Sequence, residues 1–282
     1  MSSTDKKNKE SFLLRFLYKT CVGRMFLKIL CARWISKLVG KFMDTRLSKP
    51  LISHFVKRNG IDLSKFYSDN FSCFNDCFTR KIREEERPID TSGEAFISPC
   101  DALLSAYTID ENLRLSIKGS EYKVEDLVKN SELAKHFLGG TALVFRLCVS
   151  HYHRYIYFDS GKKNGNVFIP GKLHTVRPIA LETLPVFVQN CREYTVMETE
   201  NFGTAVQIEV GALLVGKIHN HHDEYIFTRG QEKGMFLYGG STIVLLLEKG
   251  RVNLRKEFFD VTEKGEEIDV LMGEKLGERP TE

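Results

Sequence analysis

Four clusters in this sequence combine residue types that could do chemistry. His151-Tyr152-His153-Arg154 places two imidazoles two residues apart. On a strand they share a face. There they could act as general acid and base near neutral pH, or ligate a metal; a hydrogen-bonded pair on a half-exposed strand fits the same string. His219, His221 and His222 with Asp223 and Glu224 carry metal-ligand chemistry. They follow the strand-like run G-A-L-L-V-G-K-I, so a solvated polar loop is the simpler reading, and no metal is expected. Ser98-Pro99-Cys100-Asp101 sets a carboxylate after a short apolar run. Asp101 could orient a histidine as the third member of a triad does, although such a string also makes an ordinary turn.

The fourth cluster is Gly239-Gly240-Ser241-Thr242, between M-F-L-Y and I-V-L-L-L. Two glycines between strand-like runs suit a tight hairpin. They also suit a peptide bond that cleaves itself. A serine hydroxyl can attack the carbonyl of the residue before it, turning amide into ester. A preceding glycine removes steric obstruction and tolerates a strained backbone, and a base must take the hydroxyl proton.

The elements that must position these groups fall into two zones. Residues 11–40 read as helix, divided at Gly23, and 44–70 as one or two more helices ending near Asn59-Gly60. Beyond about residue 95, short β-branched and aromatic runs alternate with Gly, Asn and Asp turns. A helix at Val124–Phe137 interrupts them, and the charged stretch Glu263–Glu282 reads as a frayed tail. The expected fold class is α+β: a helical, basic, membrane-associating region over 1–70 and a mainly β catalytic domain over 71–282.

Charge follows the same division. Residues 1–60 hold 14 Lys and Arg against 3 Asp and Glu, whereas the remainder holds 27 against 34, for a net +4 over 282 residues. The basic head is rich in Phe, Leu, Ile and Trp. It reads either as helices lying in a membrane interface, with Lys and Arg reaching anionic head groups, or as a packed hairpin with solvated charges. It carries no nucleic-acid-reading motif, so no nucleic-acid partner is expected. Seven scattered cysteines without C-x-x-C argue against a disulfide framework or zinc site. No uncharged apolar run approaches the length of a spanning helix, and the N-terminus is unlike a signal peptide. The expected location is the cytoplasmic face of the cell membrane, peripheral.

The ordered set F-N-D-C-F-T-R-K-I with R-P-I, S-P-C-D, I-K-G-S-E-Y, Y-H-R, P-G-K-L-H-T-V, N-C-R-E, F-G-T-A-V-Q-I-E-V-G-A-L-L-V-G-K-I and R-G-Q-E-K-G-M-F-L-Y-G-G-S-T resembles the phosphatidylserine decarboxylase family, from about Phe74 to Val252. The resemblance implies a proenzyme that cuts itself between Gly240 and Ser241 by an N-to-O acyl shift and β-elimination. The fragments would be a β chain, 1–240, and an α chain, 241–282, held as a heterodimer. Ser241 would become a covalent pyruvoyl cofactor. That group would form a Schiff base with phosphatidylserine of anionic membranes and release CO₂, leaving phosphatidylethanolamine. By position, Gly240 precedes the cut, Asp101 is the triad carboxylate and His153 is the first His of the family's Y-H-R-x-H. The second His of that string falls at Ile156, and the Gly after the triad Asp is Ala102. The base for self-cleavage is therefore assigned to His151 or His153, with a more distant histidine such as His174, or impaired processing, as alternatives. An unprocessed lipid-binding homologue and a pyruvoyl-dependent decarboxylase of another serine-containing substrate remain the competing functions.

Overall fold

The computed structural model describes residues 12–117, 120–181, 184–212, 217–238 and 241–280. The chain is α+β. It opens with helices α1 (Phe12–Lys19), α2 (Cys21–Leu30), α3 (Arg33–Met43), α4 (Pro50–Asn59) and α5 (Phe74–Phe78). Strands β1 (Ala95–Ile97), β2 (Ala102–Thr108), β3 (Arg114–Ile117) and β4 (Ser120–Lys123) lead to helices α6 (Val124–Val128) and α7 (Ser131–Lys135). Then come β5 (Thr141–Leu147), β6 (Arg154–Ile156), β7 (Gly161–Lys163), β8 (Val167–Ile169), α8 (Pro178–Leu181) and α9 (Val186–Gln189). The last third holds β9 (Arg192–Thr199), β10 (Gly203–Val210), β11 (Ile218–Asn220), β12 (Tyr225–Phe227), β13 (Glu232–Phe236), β14 (Ser241–Leu247), β15 (Asn253–Leu254), α10 (Glu257–Glu263), β16 (Ile268–Val270) and β17 (Lys275–Glu278).

Local chemistry sets the helix boundaries. The first break falls at Thr20, not at Gly23. The Thr20 hydroxyl donates to the Phe16 carbonyl and accepts from the Gly23 N–H at 3.0 Å, which caps the start of α2. Gly23 lies inside α2, where a Cβ would come within 2.0 Å of the Phe16 carbonyl oxygen. Its role is to let α2 cross closely over α1. Helix α4 begins with Pro50 in its first turn and stops at Gly60, which is left-handed with φ 63°. The helix expected at Val124–Phe137 is two helices, because Lys129 turns left-handed and the Asn130 side chain caps α7 by accepting from the Leu133 N–H.

Antiparallel pairing builds the body. The largest sheet runs β12-β7-β9-β10-β14-β5-β2-β16, with β8 also on β9. Smaller sheets are β11-β13-β6, β1-β17-β15 and β3-β4. Central strand β14 reads S-T-I-V-L-L-L and is buried throughout, so it lacks the polar alternation of a strand with one wet face. The sheet β11-β13-β6 covers one face of the large sheet, shown by Lys233 on β13 bonding Glu209 on β10. On the other face Arg192 of β9 donates to the Asp126 and Leu127 carbonyls of α6.

Two expectations are overturned here. Strands β13 and β14 do not pair, so Gly239-Gly240 is not the turn of a hairpin; both glycines lie outside the described residues. The C-terminal stretch is also not frayed. Its β16 pairs with β2, and β17 sits between β1 and β15, with Val270 and Leu276 fully buried. Each strand shows too few apolar residues for its period to stand out among the charges. Leu276→Ala is expected to lower unfolding free energy by about 2–5 kcal/mol in urea titrations; an unchanged midpoint would return these residues to a loose tail.

Candidate active site

Two segments of chain cross between the large sheet and β11-β13-β6 side by side. Strand β14 pairs with β5 and β13 pairs with β6. The link from β5 to β6, residues 148–153, leaves the large sheet; Leu237 and Tyr238 follow β13 ahead of β14, which lies in it. The pairing of Ser241 with Leu147, and the bond from the Phe236 N–H to the His153 carbonyl at 2.9 Å, fix the two crossings next to each other. The histidines and the serine are thus brought together by topology. Ser241 is fully buried, and its Oγ has no hydrogen-bond partner among the described residues.

His151 and His153 are not strand residues sharing a face. They lie in the turn before β6, opened by the His151 N–H bonding the Cys148 carbonyl. The residue-by-residue alternation of a strand therefore does not apply. His153 is fully buried, with its ring 4.1 Å from that of Phe78. Its Nδ1 lies 2.9 Å from the His151 carbonyl oxygen. A carbonyl only accepts, so Nδ1 carries the proton and Nε2 carries the lone pair of the neutral ring. That is the tautomer a general base requires. His151 faces elsewhere. Its Nδ1 accepts from the Cys148 N–H at 3.2 Å, and its Nε2 is 3.8 Å from Asp269. Burial lowers its pKa, against the opposing pull of Asp269 and Asp101.

Asp101 follows β1 in a loop, as its sequence context indicates. Its carboxylate is gripped by Arg87, at 2.8 Å and 2.6 Å, and accepts from the Met272 N–H at 2.9 Å. The group holding Nδ1 of His153 is the His151 carbonyl, while Asp101 acts on His151 only through its field. His174 is also buried. Its Nδ1 is 3.4 Å from both the Tyr18 hydroxyl and Cys31 Sγ, at the seam between the first helices and the body. Burial, then Lys172, pushes its pKa down to about 4. Of the remaining cluster, His221 bonds Glu232 at 2.6 Å and His222 stacks on Tyr225. Among the described residues no three His, Cys, Asp or Glu are arranged to hold a metal.

The segment ahead of Ser241 is held by α5. The Asn75 side-chain oxygen accepts from the Tyr238 N–H at 3.2 Å, and Phe74 and Phe78 pack edge-on against the Tyr238 ring. Leu237 and Tyr238 then line a cleft of about 260 Å³ whose other wall is α3. Behind it, Lys233 and Glu209 form a fully buried ion pair at 2.7 Å. Asn220 bonds Lys233, Glu193 and Tyr155 in the same network, which ties β11, β13 and β6 to β9 and β10.

A sequence profile of the phosphatidylserine decarboxylase family matches residues 74–278, a span that contains both crossings and Asp101. The chain belongs to the phosphatidylserine decarboxylase family. It is 41% identical over 274 residues to phosphatidylserine decarboxylase proenzyme 2 of Clostridium acetobutylicum, covering 97% of this chain and 94% of that one. It is 40% identical to the phosphatidylserine decarboxylase proenzyme of Clostridium novyi, covering 94% and 92%, and 40% identical to that of Ruminiclostridium cellulolyticum, covering 94% and 90%. These family members are decarboxylases by name, and the relatives are named as proenzymes.

Within this phosphatidylserine decarboxylase frame, several site residues escape a sequence reading. Phe78 and Asn75 sit in F-N-D-C-F, Arg87 in R-P-I and Lys233 in E-K-G, strings that the family resemblance marks but whose types announce no chemistry. Their partners are 13 to 163 positions away, beyond any local pattern. One consequence is testable through His174. The unfolded chain takes up its proton near pH 6.5 and the folded chain near 4, so stability should fall as pH drops through that window. His174→Gln should flatten this slope by on the order of 3 kcal/mol in denaturant titrations from pH 7 to 4. An unchanged slope would remove the seam histidine as its cause.

Proposed function

We propose that this chain is a self-processing, pyruvoyl-dependent phosphatidylserine decarboxylase. The observation that carries the reading is the serine whose hydroxyl is buried without a partner among the described residues, next to the crossing that holds His153 with Nδ1 on the His151 carbonyl. His153 takes the Ser241 hydroxyl proton. The oxygen attacks the Gly240 carbonyl, the C–N bond breaks as a C–O ester forms, and the proton passes to the freed nitrogen. Removal of the Ser241 α-proton then breaks the ester, frees the Gly240 carboxylate, and leaves an end that water converts to pyruvoyl with loss of ammonia. A buried serine at a strand start, with no competing bond on its hydroxyl among the described residues, fits that conversion. When present, the pyruvoyl ketone supplies the electron sink for decarboxylation of the serine head group. The walls of the site exclude water, and His153 lies where a proton must be handled.

The base assignment favours His153 over His151, because His151 acts through its backbone carbonyl while its ring faces Asp269. Asp101 becomes a positioning group that fixes Arg87 and the Met272 backbone. After the cut, β14 keeps its place between β10 and β5, so residues 1–240 and 241–282 stay together as a heterodimer.

The helices up to residue 70 form the membrane-facing part in this reading. They expose Val22, Met25, Phe26, Trp34, Leu38, Phe42, Leu47 and Leu51 among basic residues, the combination that suits an anionic interface. No helix among the described residues is long and apolar enough to cross a membrane. The reading thus gives a peripheral enzyme at the cytoplasmic face.

Intact-mass analysis tests the processing. Wild-type protein should appear as two chains split at Gly240/Ser241, the smaller blocked to N-terminal sequencing. His153→Ala should remain a single 32.4 kDa chain, while His151→Ala should still cleave. The opposite pattern would move the base to His151, and an uncut wild type would favour the lipid-binding alternative. Vesicle flotation tests the docking: Phe26→Glu with Trp34→Glu should reduce binding to phosphatidylserine vesicles, and salt near 0.5 M should weaken wild-type binding.

A further inference from the structure

The cleft between α3 and the segment ahead of Ser241 has a charge pattern that self-cleavage does not require. Lys37 and Lys41 are four residues apart on α3 and line its outer wall together. Lys217 lines it from the body. None of the three forms an ion pair among the described residues. The one acid in the lining, Asp44, accepts from the Asn75 side chain at 2.7 Å. Ser36, on the same helix, is 5% exposed, and its Oγ has no hydrogen-bond partner among the described residues. Gly40 sits between the lysines, and a Cβ there would meet nothing within 4 Å, so the missing side chain keeps the floor open. Three lysines thus line a cavity that is also lined by Ser36, whose buried hydroxyl is unsatisfied among the described residues.

We propose that this cleft is a phosphodiester seat, in which Lys37, Lys41 and Lys217 hold the anionic phosphate of the lipid substrate and the Ser36 hydroxyl donates to it. The proposal rests on the decarboxylase reading and adds to it that α3 recognises the head group as well as facing the bilayer. The geometry permits it. Tyr238 lines the cleft and Ser241 lies three residues further, at most about 10 Å along the chain. In phosphatidylserine the phosphorus and the amine are four bonds apart, so a phosphate held in the cleft requires position 241 to open onto its Tyr238 end. Free serine lacks the phosphate and forgoes this grip. Charge-assisted bonds from three ammonium groups are the strong kind.

Dihexanoyl-phosphatidylserine below its micellar concentration separates head-group recognition from attraction to a charged surface. Each variant is first seen as two chains on a denaturing gel, which shows that it has folded and matured. Lys37→Gln with Lys41→Gln should raise KM for this substrate about tenfold or more with kcat within about twofold, and Lys37→Arg with Lys41→Arg should restore most of the loss. Gly40→Leu should fill the floor and raise KM likewise. Inorganic phosphate should compete against wild type and lose its effect on the Gln variant. Calorimetric titration with the same short-chain lipid, and with phosphate alone, gives a readout independent of turnover. Weaker binding in the Gln variant supports the seat even if wild-type protein turns over nothing, an outcome that would sink the decarboxylase reading alone. Unchanged KM and affinity in the Gln variant, or equal losses in the Arg variant, would overturn the seat.

Discussion

Everything at the candidate site depends on one constraint: two strands consecutive in sequence, β13 and β14, belong to different sheets. The residues between them must cross an interlayer gap that is otherwise packed. Such a crossing cannot satisfy its backbone groups by ladder pairing, so neighbouring chain must supply partners. The link from β5 to β6 makes the same passage in the reverse sense and lies alongside. Asn75 of α5 takes the Tyr238 N–H, and the His153 carbonyl takes that of Phe236. A histidine and a serine 88 positions apart are thereby held together by strand order alone. The buried Lys233–Glu209 pair pins the two sheets just behind the crossing. Removing one partner of such a pair costs about 3–5 kcal/mol, because the other charge is stranded.

Legibility from the sequence divides along the same physical line. The helical head and the β-rich body could be read, because period and composition are local. The end of α4 at Gly60 could be read from its own residues. The break at Thr20 could not, since a hydroxyl capping α2 looks like any other threonine, while the conspicuous Gly23 marks a close helix crossing. Strands β16 and β17 were hidden because three or four residues cannot display a period among Glu and Lys. In the site, Ser241, Gly240 and the two histidines stood out by type. Their arrangement did not. That Asp101 faces Arg87, that the His151 carbonyl holds His153, and that α3 lines the cleft beside Tyr238 are all long-range facts.

The charge asymmetry acquires a spatial meaning. Basic residues of the first helices serve two directions. Some stand among exposed apolar side chains such as Phe26 and Trp34, and others, Lys37 and Lys41, line the cleft next to Tyr238. Helix α3 therefore carries exposed Trp34 and Leu38 beside the two lysines that line the cleft. The seam formed by Tyr18, Cys31 and His174 fixes the first two helices to the body, so the orientation of the basic head relative to the cleft is set by packing rather than by a loose tether.

The placement of β14 makes the folding of this molecule a matter of history. Its seven residues are buried at the middle of the largest sheet, and the chain beyond them closes the edge beside β2 and the sheet of β1. Only a continuous chain delivers that strand to its slot at high local concentration. A chain severed just before Ser241 would keep that strand order but lose the connection that produced it. The severed protein would then persist by the height of its unfolding barrier, and its two pieces, once parted, would have no intramolecular route back.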